Sequence, residues 1–186
     1  MEIRTPRLLL RQWRDEDREP SAALNTDPEV MRYFPGLQDR AASDRSIDAW
    51  SAEIRERGWS NWAVEVVDTC SFIGFIGLSV PRRALPFMPC VELGYRLAKR
   101  FWRQGLATEG ARAALAAGFT QLGLEEIVSF TALLNEPSQA VMRRIGLVNT
   151  GEDFKHPALP PGHPLRPHVL YKIRRSAWSA TNNDAR

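Results

Sequence analysis

The chain has 186 residues, of which 44% are hydrophobic and 25% charged, and it carries a formal net charge of +3. That length suits one ordinary domain with a sizeable core, and the balance excludes a disordered or fibrous chain. The charge is too small and too scattered to argue for nucleic acid, and Cys70 and Cys90 provide neither a disulfide framework nor a CxxC metal pair. The start MEIRTPRLLLRQW lacks the apolar region of a signal peptide, and no run approaches the ~20 apolar residues of a membrane span. The expectation is a cytoplasmic protein that contacts neither membrane nor nucleic acid.

In chain order, Arg7 to Trp13 reads as a first strand, and Asp15 to about Leu24 as a helix. Asp27-Pro28 predicts a turn and a new helix start. A helix follows from Ser43 to about Arg57, with Ile47, Trp50 and Ile54 on one face. Trp62 to Val67 and Phe72 to Val80 form a hairpin around Asp68-Thr69, and the second strand is apolar on both faces, as a covered strand would be. Pro81 to Pro89 is a loop and Cys90 to Leu97 the next strand, whose interior Gly94 predicts a bulge or a close approach by backbone or ligand. After a long helix, Glu125 to Asn135 is a strand, and Ser138 opens a helix that stops at Gly146. LVNTGEDF is a further strand, the five-proline segment Lys155 to His168 an irregular excursion, and VLYKIRR the closing strand, with Val169, Tyr171 and Ile173 on one face. A frayed polar tail is expected from about Trp178.

The stretch Tyr95 to Phe119 carries the strongest chemical signal. It reads as a strand end, a tight loop and a helix that opens on Gly105 and has small residues on its apolar face. Lys99, Arg100 and Arg103 precede the unpaired amides of the first helical turn, which is a recipe for an anion site. GxxxxGK[ST] and GxGxxG are both absent, so neither a P-loop nor a Rossmann dinucleotide site is expected.

The loop WRQGLA, Trp102 to Ala107, resembles the [Q/R]xxGx[G/A] pyrophosphate loop of the GNAT acyl-CoA N-acyltransferases, with Trp102 in place of the usual Gln or Arg. With the following Thr-Glu it is most similar to the RimJ/RimL-type branch. NEPSQAVMRRIGL resembles a second motif of that family, with Asn135, Ser138 and Gly146 in place and Leu147 where Phe is usual. The predicted element order also agrees with that fold. The resemblance implies one α/β (α+β) GNAT domain over 1–186, with a mixed central sheet of about seven strands and helices on both faces. It implies acetyl-CoA as donor and a primary amine as acceptor, with transfer by direct attack and no covalent enzyme intermediate. Many members form homodimers through their last strands.

Residue by residue, the resemblance places the diphosphate on the amides around Arg103, Gln104, Gly105, Leu106, Ala107 and Thr108. Lys99 and Arg100 either assist there or are simply solvated. Tyr95, Arg96 and Leu97 would offer main-chain groups to the pantetheine arm and to the thioester carbonyl. Asn135 would contact the cofactor, serve as a helix-entry residue, or do both. Ser138 is the candidate proton donor to the departing thiolate, since a Tyr common in relatives is Met142 here; the alternative is a helix N-cap. Glu92 is the candidate base, against a strand-edge salt bridge or a water chain. Glu109 reads as structural, and Tyr171 as core more than as a pocket wall. Phe34, Trp59 and Trp62 either shape the acceptor site or lie in the core. His156, His163 and His168 match no zinc spacing, so no metal is expected. Two rivals keep the fold: transfer of a longer acyl group, and a CoA-binding sensor without turnover.

Overall fold

A computed structural model describes residues 1–183. Its strands are β1 (Ile3–Arg4), β2 (Leu8–Arg11), β3 (Asn61–Val66), β4 (Ser71–Ser79), β5 (Glu92–Leu97), β6 (Glu126–Ala132), β7 (Val148–Asn149), β8 (Phe154–Lys155) and β9 (Pro167–Arg174). Its helices are α1 (Arg18–Thr26), α2 (Arg40–Arg57), α3 (Leu106–Thr120), α4 (Glu136–Arg144) and α5 (Arg175–Asn183). The strands form one mixed sheet in the order β1-β2-β3-β4-β5-β6-β9-β7, with β8 also on β9. Among the described residues every pairing is antiparallel except β5 with β6.

Helices cover both faces. α3 lies on the face carrying Leu8, Ile76 and Leu78, and Gly110 lets it sit close, because a methyl there would collide with Ile76. On the opposite face, Trp50 of α2 stacks on Trp13 and tilts against Phe75 at centroid distances of 5.5 and 4.7 Å. Ile47 and Ile54 of α2 are buried as their spacing requires. Asp39 caps this helix by accepting the Ala42 amide at 2.7 Å, and Gly58 ends it at φ 86°. Alternation along β4 and β5 therefore assigns Tyr95 to the α3 face, and Glu92, Gly94 and Arg96 to the α2 face.

Several boundaries differ from those expected. The sheet has nine strands, not about seven. Ile3–Arg4 folds back on β2 through the Thr5–Leu8 turn, and LVNTGEDF divides into β7 and β8. Between those two strands Asn149 accepts the Gly151 amide at 2.8 Å, and Gly151 takes φ 73°, which a continuous strand cannot accommodate. Residues 28–33 form turns rather than a helix. Helix α4 begins at Glu136, ahead of Ser138, because Asn135 is the N-cap. Gly94 makes no bulge: it pairs in register with Gly77, and the register shift in this part of the sheet falls at Val64/Glu65. The segment expected to fray is helical to Asn183, with the Trp178 ring 5.4 Å from Phe119; the rest of the expected tail lies outside the described residues.

Under α1 and α2 a buried ion cluster ties three elements together. Arg11 is 2% exposed; it reaches both Asp17 oxygens at 2.7 and 2.9 Å and Glu65 at 2.8 Å. Arg11→Met removes the cation, leaves the buried Asp17 without an ionic partner and leaves Glu65 only the longer contact to Arg14 at 3.3 Å, an expected loss of about 3–5 kcal/mol. Urea unfolding of both proteins measures it, and a loss below about 1 kcal/mol would show that the cluster holds nothing together.

Candidate active site

The single parallel pairing in the sheet is short. β5 and β6 share one register pair, Glu92 with Val128, and the Val128 amide donates to the Val91 carbonyl at 2.9 Å. One step on, the Leu93 carbonyl accepts the hydroxyl of Ser129 at 2.8 Å, a side chain where the ladder would otherwise use a main-chain amide. Beyond that point the strands diverge. Residues 91 and 93 aim their carbonyls at β6, so alternation aims the main-chain groups of Tyr95 and Leu97 into the opening. The main chain of Arg96 faces β4 instead, where it pairs with Phe75.

The opening leads to the amino end of α3. Gly105 precedes the helix at φ 77° and Arg103 takes φ 59°, a sharp turn that glycine accommodates without strain. The first helical bond runs from the Glu109 amide to the Gly105 carbonyl at 3.0 Å, so Leu106, Ala107 and Thr108 present amides with no helical acceptor. A cleft of about 960 Å³ opens there, lined by Gly105, Thr108 and Glu109 and by the cations Arg4, Arg7, Arg103, Arg112 and Arg144. Trp102, at the motif position usually held by Gln or Arg, donates from Nε1 to the Leu97 carbonyl at 2.7 Å and so pins the loop to the end of β5. Lys99 pairs with Glu29 at 3.1 Å, and Arg100 lies over Phe101.

Glu109 has the structural part expected of it. It accepts from Thr5 Oγ1 at 2.6 Å and from the Arg7 amide at 3.0 Å, and it pairs with the Arg7 guanidinium. Arg7 in turn donates to the Gln104 carbonyl at 2.8 Å. Burial alone would raise the Glu109 carboxyl, but the hydrogen bonds from Thr5 and Arg7 hold it below its ordinary range.

Across the opening, Tyr95 reaches α4. Its hydroxyl lies 2.9 Å from both the Ser138 carbonyl and the Ser138 Oγ. Asn135 accepts the Ser138 amide at 3.3 Å and donates to Thr131 Oγ1 at 2.9 Å, so the helix-entry role is filled by Asn135 and not by Ser138. Met142 is buried.

On the α2 face, Glu92 stands beside the point of divergence. Among the described residues no hydrogen bond or ion pair reaches its carboxylate. The residue as a whole keeps partial exposure, but its carboxyl is desolvated, which pushes its pKa up to about 8. Burial, followed by the proximity of Glu92, pushes the Cys90 thiol up to about 11, which leaves it protonated near neutral pH. Between Glu92 and Arg96 the floor is bare: Gly94 opposes Gly77, and Asn61 approaches from β3. Phe34 packs on Arg96 at 4.0 Å, whereas Trp62 is fully buried on the α3 face and cannot line this floor. Trp59 lies under the Arg57 guanidinium at 4.0 Å. Tyr171 is core, 2% exposed, with its hydroxyl on Gln139 and Arg143. His156 and His168 lie tilted at a centroid distance of 4.7 Å in an aromatic cluster with Phe87, Phe130 and Phe154.

The structure thus brings Tyr95, Leu97, Ser138 and Asn135 to the opening, the 103–108 loop to its mouth, and Glu92 to one rim. The cations Arg4, Arg7, Arg112 and Arg144 of the cleft are additions. Helical spacing puts Arg112 one turn beyond Thr108; the other three carry no local signal. Nothing in the chain order pairs Tyr95 with Ser138.

The family described as "Acetyltransferase (GNAT) domain" matches residues 7–148. The chain is 31% identical over 156 residues to "Uncharacterized N-acetyltransferase YoaA" of Bacillus subtilis (strain 168), covering 80% of this chain and 84% of that protein. It is also 31% identical over 186 residues to "FsC-acetyl coenzyme A-N(2)-transacetylase" of Aspergillus fumigatus, covering 95% of this chain and 77% of the relative. The crystal structure of an acetyltransferase (GNAT family) from Bacillus anthracis superimposes with a TM-score of 0.76 at 25% identity, over 95% of this chain and 99% of that one. The chain belongs to the GNAT acetyltransferase family and is an acyltransferase, of a kind that moves acetyl groups to amines.

Proposed function

We propose that the protein transfers an acetyl group from acetyl-CoA to a primary amine by direct attack within a ternary complex, and that it is of the RimJ/RimL type. The observation that carries this reading is the opening between β5 and β6, with a free helix amino end at its mouth and an unpaired carboxylate at its rim. The residues present fit the donor. The amides of Leu106, Ala107 and Thr108, with Arg103, Gln104 and Gly105 in the turn, suit a diphosphate, and the arginines of the cleft add positive charge. The Tyr95 carbonyl and the Leu97 amide, with the Leu97 carbonyl already engaged by Trp102, suit an extended pantetheine arm lying as an additional strand. Bound there, the donor supplies an activated acyl group.

In this reading Glu92 takes the proton from the incoming ammonium. A carboxyl that titrates near pH 8 removes a proton more effectively than an ordinary one, because its basicity is closer to that of the amine. The new N–C bond forms as the C–S bond breaks, and the thiolate needs a donor. Ser138 Oγ, hydrogen-bonded to the Tyr95 hydroxyl at the opening, gives its proton to the thiolate and is reprotonated by the second proton that the acylated nitrogen sheds, which leaves a neutral amide and a free thiol. The Tyr95 amide donates toward the carbonyl oxygen, where negative charge develops during attack.

Thiol release from acetyl-CoA over a panel of primary amines, with CoA binding measured alongside, tests the reaction; tight binding without release on any amine would favour a sensor over an enzyme. In the wild type, kcat/KM should rise with pH as Glu92 loses its proton, with a half-point near 8. Glu92→Gln should remove that limb and lower kcat by ~10²–10⁴ while leaving CoA affinity within about twofold. An unchanged pH profile in the variant assigns the base to another group.

Ser138→Ala separates chemistry from helix capping. Asn135 caps α4 through the main-chain amide of residue 138, so alanine keeps the cap. The expected result is an unchanged melting temperature with kcat lowered about tenfold or more. A lower melting temperature with an unchanged kcat would mean that the hydroxyl supports only the fold.

A further inference from the structure

Arg96, half-buried with its Nε enclosed, is treated unlike the fully buried Arg11. Arg11 has two carboxylates around it. Arg96 has none among the described residues: its Nη1 donates to the Asn25 side-chain oxygen at 2.6 Å, its plane lies over Phe34 at 4.0 Å and Phe75 at 5.4 Å, and its Nε is enclosed with no acceptor. Asn25 is itself buried and held by Ser43 at 2.8 Å, which fixes the guanidinium. Burial lowers the Arg96 pKa to about 10, which still leaves it charged at neutral pH. An enclosed cation without a counter-ion is costly, and a bound anion is the usual remedy.

Its position says where that anion belongs. Glu92, Gly94 and Arg96 are alternate residues on the α2 face of β5, so the carboxylate and the guanidinium arise about 13 Å apart along the strand with bare glycine floor between. Gly94 adjoins the point where the strands part, and Asn61 faces it with a buried side-chain oxygen that has no donor. An amine lying over Gly94 would meet Glu92 on one side and Arg96 on the other. The guanidinium presents paired N–H donors in a plane, a geometry suited to a carboxylate. A polycation would leave Arg96 uncompensated and add like charge.

We propose that the acceptor is a small primary amine that itself carries a carboxylate, of the amino acid class, and that Arg96 binds that carboxylate while Glu92 faces the amine. This rests on the amine-acetylation reading above and narrows its substrate.

The test uses matched sets: α-amino acids, their α-carboxamides, the corresponding amines without the carboxylate, and spermidine, each assayed by thiol release from acetyl-CoA. The carboxylate-bearing amines should exceed their carboxamides at least tenfold in kcat/KM. Arg96→Gln should lower kcat/KM for the acids by ~10- to 100-fold, leaving the carboxamides and CoA affinity within about twofold, and Arg96→Lys should restore part of the loss. Preference for spermidine, for the carboxamides or for neutral amines overturns the proposal while acetyl transfer stands. An equal loss on every amine in Arg96→Gln also overturns it, since Arg96 would then be a strut for β5 and α1. A companion measurement needs no turnover: with CoA present, N-acetyl amino acids should raise the melting temperature of the wild type and not of Arg96→Gln, and N-acetyl carboxamides should raise neither. If no amine turns over but the acids stabilise the wild type in this Arg96-dependent way, the binding assignment holds and the acetyl-transfer reading fails. Absence of that stabilisation overturns the assignment.

Discussion

The organisation of this protein depends on where its one parallel strand pair stops. Ser129 gives its hydroxyl to the Leu93 carbonyl, and β5 and β6 part company immediately beyond. A sheet that continued pairing would have spent the Tyr95 amide and carbonyl on β6. Because it does not, a strand edge lies open in the middle of the sheet, which most folds avoid because unpaired edges are sticky. Tyr95 spans the gap on one face by reaching α4, so the opening is braced as well as open. The proposed donor slot is this edge, extended to the amino end of α3.

Charge is distributed around the opening in two different ways. Near α3 the cations are numerous and mostly exposed, and Glu109 fastens the N-terminal segment to the helix start while leaving the first-turn amides free. Such a surface attracts an anion at little cost in stability. On the α2 face the ionisable groups are few and desolvated: among the described residues nothing pairs with Glu92, and Arg96 has only an amide oxygen and two aromatic rings. A desolvated carboxyl and a partly enclosed guanidinium without ionic partners reduce stability, and their persistence beside bare glycine floor is the pattern expected where a substrate completes the pairing.

The fold was largely legible because its helices and central strands obey simple periods. Ile47, Trp50 and Ile54 marked α2, the apolar run of β4 marked a strand covered on both faces, and the turn at Gly105 with the small residues after it marked α3. The failures are at positions where tertiary contacts outweigh local pattern. Pro28 suggested a helix, but the segment folds as turns in which the Met31 amide bonds to Asp27. Gly94 suggested a bulge or a close approach, and only the bulge fails: it pairs in register with Gly77. Ser138 could be read as a cap as well as a proton donor, and the cap is Asn135, which precedes it with the same chemistry. Candidate site residues on contiguous motifs could be named from the chain alone. Arg96 as a side chain, Asn61, and the Tyr95–Ser138 contact could not, because each depends on strands and helices distant in sequence.

The most direct measurement is a titration of the isotopically labelled protein with CoA, followed through its backbone amide resonances. If the opening holds the donor, the largest changes will fall on Tyr95 and on Leu106, Ala107 and Thr108, with little change at the β1–β3 edge. Binding that leaves those four amides unmoved, or that perturbs another part of the sheet most strongly, would contradict the assignment of the opening as the donor slot.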